Sequence, residues 1–242
     1  MKEKIEILVL NNLLKSIWLN GTINECALKI NNGIGTINAV DATNSIFVKA
    51  IAKIKLPDDK IGILDIGSII RVLDSCKEQS YLSYRIKDRV IYFKIKKRGS
   101  VQFTLGKIDV ISTAVKDDLK KINDMIESKT LLTFKLSQDV INNFKYFMKL
   151  FSSEVVTIEV FQGRIKIKGG FQEIKAFSFD VDSENLNKDI TVSVNAKFLL
   201  SIFDLLSIEE DKTCVIGFEK DSPLIIKSQD VTWLLSSISN NN

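Results

Sequence analysis

The chain contains no histidine. This removes the commonest general base near neutral pH and the commonest protein metal ligand. A Ser-His-Asp hydrolase triad and a His-ligated zinc site are therefore excluded. The three cysteines, Cys26, Cys76 and Cys214, are far apart and form no CxxC pair. They read as small apolar residues of a reducing compartment, not as a disulfide framework. Only 2 prolines and 11 glycines occur in 242 residues, so long irregular stretches are not expected. No run of 18 apolar residues appears, which leaves no candidate for a membrane-spanning helix. The opening MKEKIEILVLNNLLK is broken by Asn11, Asn12 and Lys15 and lacks the apolar core of a signal peptide. The expectation is a soluble, cytoplasmic protein. No Gly-Lys-Ser/Thr phosphate loop exists, and Gly33-Ile34-Gly35 lacks the third glycine of a dinucleotide site. The acidic runs at 180–184 and 208–212 lack calcium-loop spacing and read as surface loops. No catalytic residue, metal or cofactor is expected.

What is present is a core-forming sequence. Apolar residues make up 45% of the chain, enough for a packed interior. The net charge is +4, from 34 Lys+Arg against 30 Asp+Glu. So mild a surplus permits nucleic-acid contact without demanding it; affinity would have to come from the placement of charge.

The most informative feature is that the two halves read alike. The first opens with an alternating strand, Lys4–Leu10, then a helix pattern over Asn11–Leu19 with a polar stripe of Asn11, Asn12, Lys15 and Ser16. The second opens with Leu131–Leu136, then a helix pattern over Ser137–Phe151. Each continues into two alternating runs split by a hairpin dipeptide, Asn32-Gly33 in the first half and Gln162-Gly163 in the second. A further strand follows, SIFVKAIAKI or EIKAFSFDV, then a second helix pattern, Asp65–Cys76 or Asn195–Leu206. Three closing strands complete each half. The helices recur at an offset of about 130 residues, and helices on one face of antiparallel strands make an α+β domain. The reading is two duplicated domains, 1–112 and 130–242, joined by a polar linker at 113–129.

This pattern resembles the sliding clamps, the family of PCNA and the tailed-phage clamps. The segment from Leu13 to Ile51, with Ala39-Val40-Asp41 inside it, is similar to the clamp strand–helix–hairpin unit. The segment from Asp139 to Gly170 is similar to the same unit in a second domain. SVNAKFLLSIFDLL, KDSPLIIKS and VTWLLSSI are similar to the clamp C-terminus. The resemblance covers nearly the whole chain and rests on the spacing of blocks. It implies a closed ring of clamp-type domains, a homotrimer, with helices lining a hole that double-stranded DNA threads. It also implies a DNA polymerase as partner, a clamp loader, and no membrane. The composition suits a viral, phage-type member.

The helix faces then become the candidate DNA surface: Asn12, Lys15, Arg71, Asn142, Lys145, Lys149 and Lys197. Cations spread on helix faces hold phosphate without reading bases. The plain alternative is a solvated helix face, and Asp74, Asp139 and Asp204 weaken the basic signal. Basic strands occur too, with Lys94 and Lys96, and then Arg164, Lys166 and Lys168, spaced for one face each; these read as a solvated outer sheet. By resemblance, Gly106–Ser112 of one subunit pairs with Ile174–Asp182 of the next, through Lys107, Ile108, Val110, Lys175, Phe177 and Phe179. Aspartate at Phe177 or Phe179 is expected to separate subunits and leave the chain folded. The matching partner-peptide positions are Val40, Ile46, Pro223, Leu234 and Ser236, covered by Leu119 and Ile122 of the linker; ordinary core is the alternative for these. The leading function is a non-enzymatic processivity factor that tethers a polymerase to duplex DNA. The alternative is a monomeric DNA-binding accessory or structural virion protein on the same duplicated fold.

Overall fold

The computed structural model describes residues 3–108, 111, 122–127, 132–171, 175–181, 189–206, 214–219 and 222–238. The chain separates into two compact units, Met1–Val115 and Lys116–Asn242.

In the first unit, β1 (Glu3–Glu6) leads into α1 (Ile7–Trp18). The expected strand Lys4–Leu10 is thus cut short. Ile5, Ile7 and Val9 alternate as a strand would, but Ile7, Leu10, Leu13, Leu14 and Ile17 form a helical stripe, and all five are buried. The longer stripe buries more apolar surface than the short alternation, so the helix takes Ile7–Leu10. Asn11 and Ser16, expected in the polar stripe, are buried too. β2 (Cys26–Asn31), β3 (Ile34–Val40), β4 (Ile46–Lys53) and β5 (Asp59–Ile63) follow, then α2 (Ile66–Ser75) and β6 (Tyr81–Lys87), β7 (Val90–Ile95) and β8 (Gly99–Gly106). The strands are ordered β1-β6-β7-β8-β5-β2-β3-β4. The junction β8–β5 is slight: Gly62 faces Gly106 and Ile63 faces Leu105.

The second unit repeats this order of elements. β9 (Leu132–Leu136) precedes α3 (Gln138–Phe151), then come β10 (Val155–Phe161), β11 (Arg164–Phe171), β12 (Lys175–Val181) and β13 (Ile190–Asn195). α4 (Ala196–Leu205) and β14 (Cys214–Phe218), β15 (Leu224–Lys227) and β16 (Val231–Leu235) complete it. The strands run β9-β14-β15-β16 and β13-β10-β11-β12, the permutation found in the first unit. The amide of Ile238 donates to Ser193 O at 2.7 Å, the counterpart of the β8–β5 junction. A short helical turn occupies 122–126; the rest of the expected linker lies outside the described residues. The acidic runs at 208–212 and 182–184 also lie outside them.

Local chemistry explains the repetition. Asn32 (φ 51°) and Gly33 (φ 72°) turn β2 into β3, and Gln162 (φ 48°) and Gly163 (φ 77°) turn β10 into β11. Positive φ at both central residues is the I′ turn that matches strand twist. Helix starts are capped by side chains. Asp65 Oδ1 accepts from the Ser68 amide at 2.8 Å and Asn195 Oδ1 from the Lys197 amide at 2.9 Å. Ser137 Oγ accepts from the Val140 amide at 3.3 Å. Both leading helices end on a left-handed residue that is not glycine, Leu19 in α1 and Ser152 in α3, each donating its amide back four residues.

Each unit keeps its own core under its helices. In the second, Phe144 of α3 meets Phe203 of α4 edge-on at 5.0 Å. Further along α3, Phe147 stacks on Phe177 at 5.2 Å and on Phe179 at 5.6 Å, both on β12. Phe151 lies 5.9 Å from Phe177. The Phe177 ring sits over Gly169 of the neighbouring strand, where a Cβ would fall 2.6 Å from it. Phe177 is therefore a core residue, 5% exposed. The expectation that aspartate there leaves the chain folded is corrected: it would bury a charge in this aromatic stack.

Candidate nucleic-acid interface

In the first unit, α1 and α2 lie side by side and are tied across their polar sides. Asp74 Oδ1 of α2 accepts from Lys15 Nζ at 2.7 Å and from Asn11 Nδ2 at 2.8 Å, both on α1. The hydrogen bond from Lys15 holds the Asp74 carboxyl below the usual carboxylate range; partial burial opposes this, and Asn11 and the charges of Lys15 and Lys77 add to it. Arg71, exposed on α2, donates to Ser68 Oγ at 2.6 Å, and Ser68 in turn donates to the Asp65 carboxylate. The guanidinium itself makes no ion pair among the described residues. Asn12 is exposed on α1.

In the second unit, α3 and α4 repeat the arrangement. Lys145 Nζ lies 3.2 Å from Asp204 Oδ1. Asn142 is exposed and accepts from Gln138 Nε2 at 3.1 Å. Lys149 on α3 and Lys197 on α4 are exposed and carry no ion pair among the described residues. The equivalences run at a fixed offset of 130 positions: Asn12 with Asn142, Lys15 with Lys145, Asp74 with Asp204.

All seven expected DNA-facing residues therefore sit on helices, on sides turned from the core of their own unit. They are not equal. Among the described residues, Arg71, Lys149 and Lys197 make no direct ion pair, although Arg71 reaches the Asp65 carboxylate through Ser68; Lys15 and Lys145 are each neutralised by a carboxylate. The carboxylates were legible as a weakening of the basic signal, but not as partners. A sequence separation of 59 residues, from Lys15 to Asp74, carries no local pattern; only comparison of the two halves would have paired them.

Two of the five expected sheet cations are neutralised within the sheet. Lys168 pairs with Glu159 across β10–β11, and Lys166 lies 3.8 Å from Asp180 on β12. Lys96 lies past the end of β7 and does not share a strand face with Lys94.

Two strand sides are open among the described residues. β12 closes the order β13-β10-β11-β12, and no strand among the described residues covers its outer side. β8 pairs with β7 along Gly99–Thr104, while β5 reaches only Leu105 and Gly106 on its other side. Of the segment expected as an edge, Gly106–Ser112, only Gly106 belongs to β8 (Gly99–Gly106). Gly106 is the last residue of β8, Lys107 and Ile108 follow the strand, and Val110 lies outside the described residues. Lys175 opens β12. Phe177 is buried and Phe179 half-buried against α3, so what β12 leaves uncovered is its backbone edge.

Of the expected peptide-binding positions, Ile46 and Leu234 are core residues, 1% and 4% exposed. Val40, Ile122 and Pro223 are half-buried and Ser236 is exposed. Leu119 lies outside the described residues.

The cysteines are buried. Burial, with Glu25 adding to it, pushes the Cys26 thiol up to about 12. Burial likewise pushes the Cys214 thiol up to about 12. No group of three or more acidic or cysteine side chains that would hold a metal occurs among the described residues. No helix among them is long and apolar enough to cross a membrane.

No protein-family model matches this chain, and no curated protein matches it in sequence. Solved structures do match in fold. The DNA polymerase III β subunit of Thermotoga maritima superposes with a TM-score of 0.73 at 10% identity, over 99% of this chain and 65% of that one. The A. fulgidus PCNA bound to the C-terminal region of FEN-1 superposes with a TM-score of 0.75 at 12% identity, over 100% of both chains. The Helicobacter pylori β clamp bound to a DNA ligase peptide gives 0.70 at 12% identity, over 100% of this chain and 68% of that one. The chain thus spans about two thirds of the β-clamp chains and the whole of PCNA. From end to end, it has the duplicated α+β fold of the sliding-clamp structures.

Proposed function

We propose that this chain is the subunit of a DNA sliding clamp, a non-enzymatic factor that encircles duplex DNA and tethers a polymerase. The observation that carries the reading is the repetition within the chain. Each unit has the same strand order and a pair of helices whose outward sides bear cations and amides, and the repeat spans the full length matched by PCNA. Arg71, Lys149 and Lys197 would contact phosphates, with Asn12 and Asn142 as neutral donors. Contacts of this kind are sequence-independent, which a sliding protein requires.

Ring closure would come from the two open strand sides. β8 of one subunit would extend the sheet that ends in β12 of the next. Such head-to-tail pairing is heterologous and closes a ring when the rotation permits; it also removes the aggregation hazard of an open edge. A two-unit chain matched over the whole of PCNA favours three subunits. The proposed partners are duplex DNA, a DNA polymerase and other replication enzymes that dock through short segments, and a clamp loader. The reading has no place for a membrane. A viral source fits the composition.

The test is topological. The protein is incubated with linear duplex whose ends are then blocked by bulky caps, and the complex is washed at high salt. A ring stays threaded and is released when the duplex is cut by a restriction enzyme. Release by salt alone, whether or not the ends are blocked, would sink the reading.

A further inference from the structure

The duplicated ion pair suggests how tightly the proposed DNA-facing side holds its ligand. Lys15 with Asp74 and Lys145 with Asp204 occupy equivalent places in the two units. The other cations of the helix pairs do not recur: the counterparts of Arg71, Lys149 and Lys197 are Ser201, Leu19 and Gly67. Packing does not demand a charge pair here. Side-chain exposure is 36% and 44% in the first pair and 26% and 48% in the second, and ion pairs this exposed contribute little to folding. Their effect falls on the lysines. Each carboxylate occupies the ammonium that would otherwise face a phosphate.

We propose that Asp74 and Asp204 act as attenuators of DNA binding. Each competes with the DNA backbone for its lysine, so that Lys15 and Lys145 make only interrupted phosphate contacts and the protein stays mobile on the duplex. The two clasps differ in build. Asp74 is also held by Asn11, whereas the position equivalent to Asn11 is Ile141, a core residue. Lys145 is therefore the more readily released lysine. The proposal rests on the DNA-facing reading of the helices.

The experiment measures binding of the full chain to a short linear duplex by fluorescence anisotropy across a salt series. The variants are Asp74→Asn, Asp204→Asn, Asp139→Asn, Lys15→Met with Lys145→Met, and the quadruple combination of the two clasps. Asp139 is exposed at the start of α3 and holds no lysine among the described residues, so its variant removes a charge without releasing a cation. Releasing one lysine to a phosphate should steepen the dependence of log affinity on log salt by roughly 0.9. Asp74→Asn and Asp204→Asn are expected to bind severalfold tighter with that steeper slope. Asp139→Asn should keep the wild-type slope, and the quadruple variant should bind no better than the lysine pair alone. Clasp variants with the wild-type slope, or a quadruple variant that still gains over the lysine pair, would overturn the proposal and leave the DNA reading standing. Wild-type protein that binds without salt dependence would overturn both. If Asp74→Asn lowers the melting temperature too far for binding to be read, Asp204→Asn, whose carboxylate makes the simpler contact, decides.

Discussion

Replacing Phe177 by alanine is the sharpest test of how the second unit is held together. The ring is 5% exposed, stacks on Phe147 at 5.2 Å with an interplanar angle of 4°, lies 5.9 Å from Phe151 and covers Gly169. A buried aromatic side chain removes about 150–250 Å² from water. At about 25 cal/mol per Å² this is worth on the order of 4–6 kcal/mol. Truncation leaves Cβ buried, and β12 is an outer strand that can move toward α3, so the loss falls at the low end of the usual range for Phe→Ala, about 3 kcal/mol. The corresponding fall in melting temperature is roughly 10 °C. The two tryptophans allow the units to be read separately: Trp18 lies in the first and Trp233, 2% exposed, in the second. In a Trp18→Phe background, Trp233 fluorescence should report the early melting. Ser178→Ala, on the opposite exposed face of β12, should change stability by less than about 0.5 kcal/mol. A Phe177→Ala protein within about 1 kcal/mol of its parent would refute the aromatic stack between α3 and β12.

Three further outcomes are expected. Asp41 Oδ1 accepts from the amides of Ser45 and Ile46 at 2.6 and 2.8 Å, and Oδ2 from that of Thr43 at 3.1 Å. Burial alone would raise its pKa, but the hydrogen bonds from Thr43, Ile46 and Ser45 outweigh burial and hold the carboxyl below its usual range. That stabilisation is full above the unfolded carboxylate range and is lost as pH falls through the lowered folded value. Asp41→Ala should cost about 2 kcal/mol at neutral pH and flatten the acid limb of a urea-denaturation series. Cys26 and Cys214, buried with thiols pushed up to about 12, should resist alkylation at pH 8 until denaturant is added; rapid labelling of the folded protein would contradict their burial. Removing Arg71 and Lys149 together should weaken binding to a short duplex equally for all sequences and flatten its salt dependence by about one unit per lost contact.

Much of the fold was legible because it is written twice. The hairpin dipeptides Asn32-Gly33 and Gln162-Gly163, and the helix stripes 130 residues apart, survive as the I′ turns and helix pairs of the structure. What failed was local ambiguity. Ile7-Leu8-Val9-Leu10 fits both a strand and a helix, and only burial against the rest of the unit decides. β5 and β13 were missed: β5 is five residues long, and Gly62 within it faces Gly106 too closely for a side chain, with a Cβ 2.5 Å from its carbonyl oxygen. A strand that contributes no side chain there leaves little alternation to read. The polar helix faces were visible, but not the pairing of their charges. Lys15 looked like a free cation until Asp74 was brought beside it, and the helix polarity that suggests DNA contact also conceals its attenuation.

Closure of these chains into a ring can be read from sedimentation equilibrium across a dilution series. The expected species has three times the 27.3 kDa chain mass and dissociates only on dilution. Substitution of proline in β12, at Ser178, should remove that species by disturbing the open strand side that the next subunit would use. A stable monomer at every concentration would rule out the ring and favour a monomeric DNA-binding protein on the same duplicated fold.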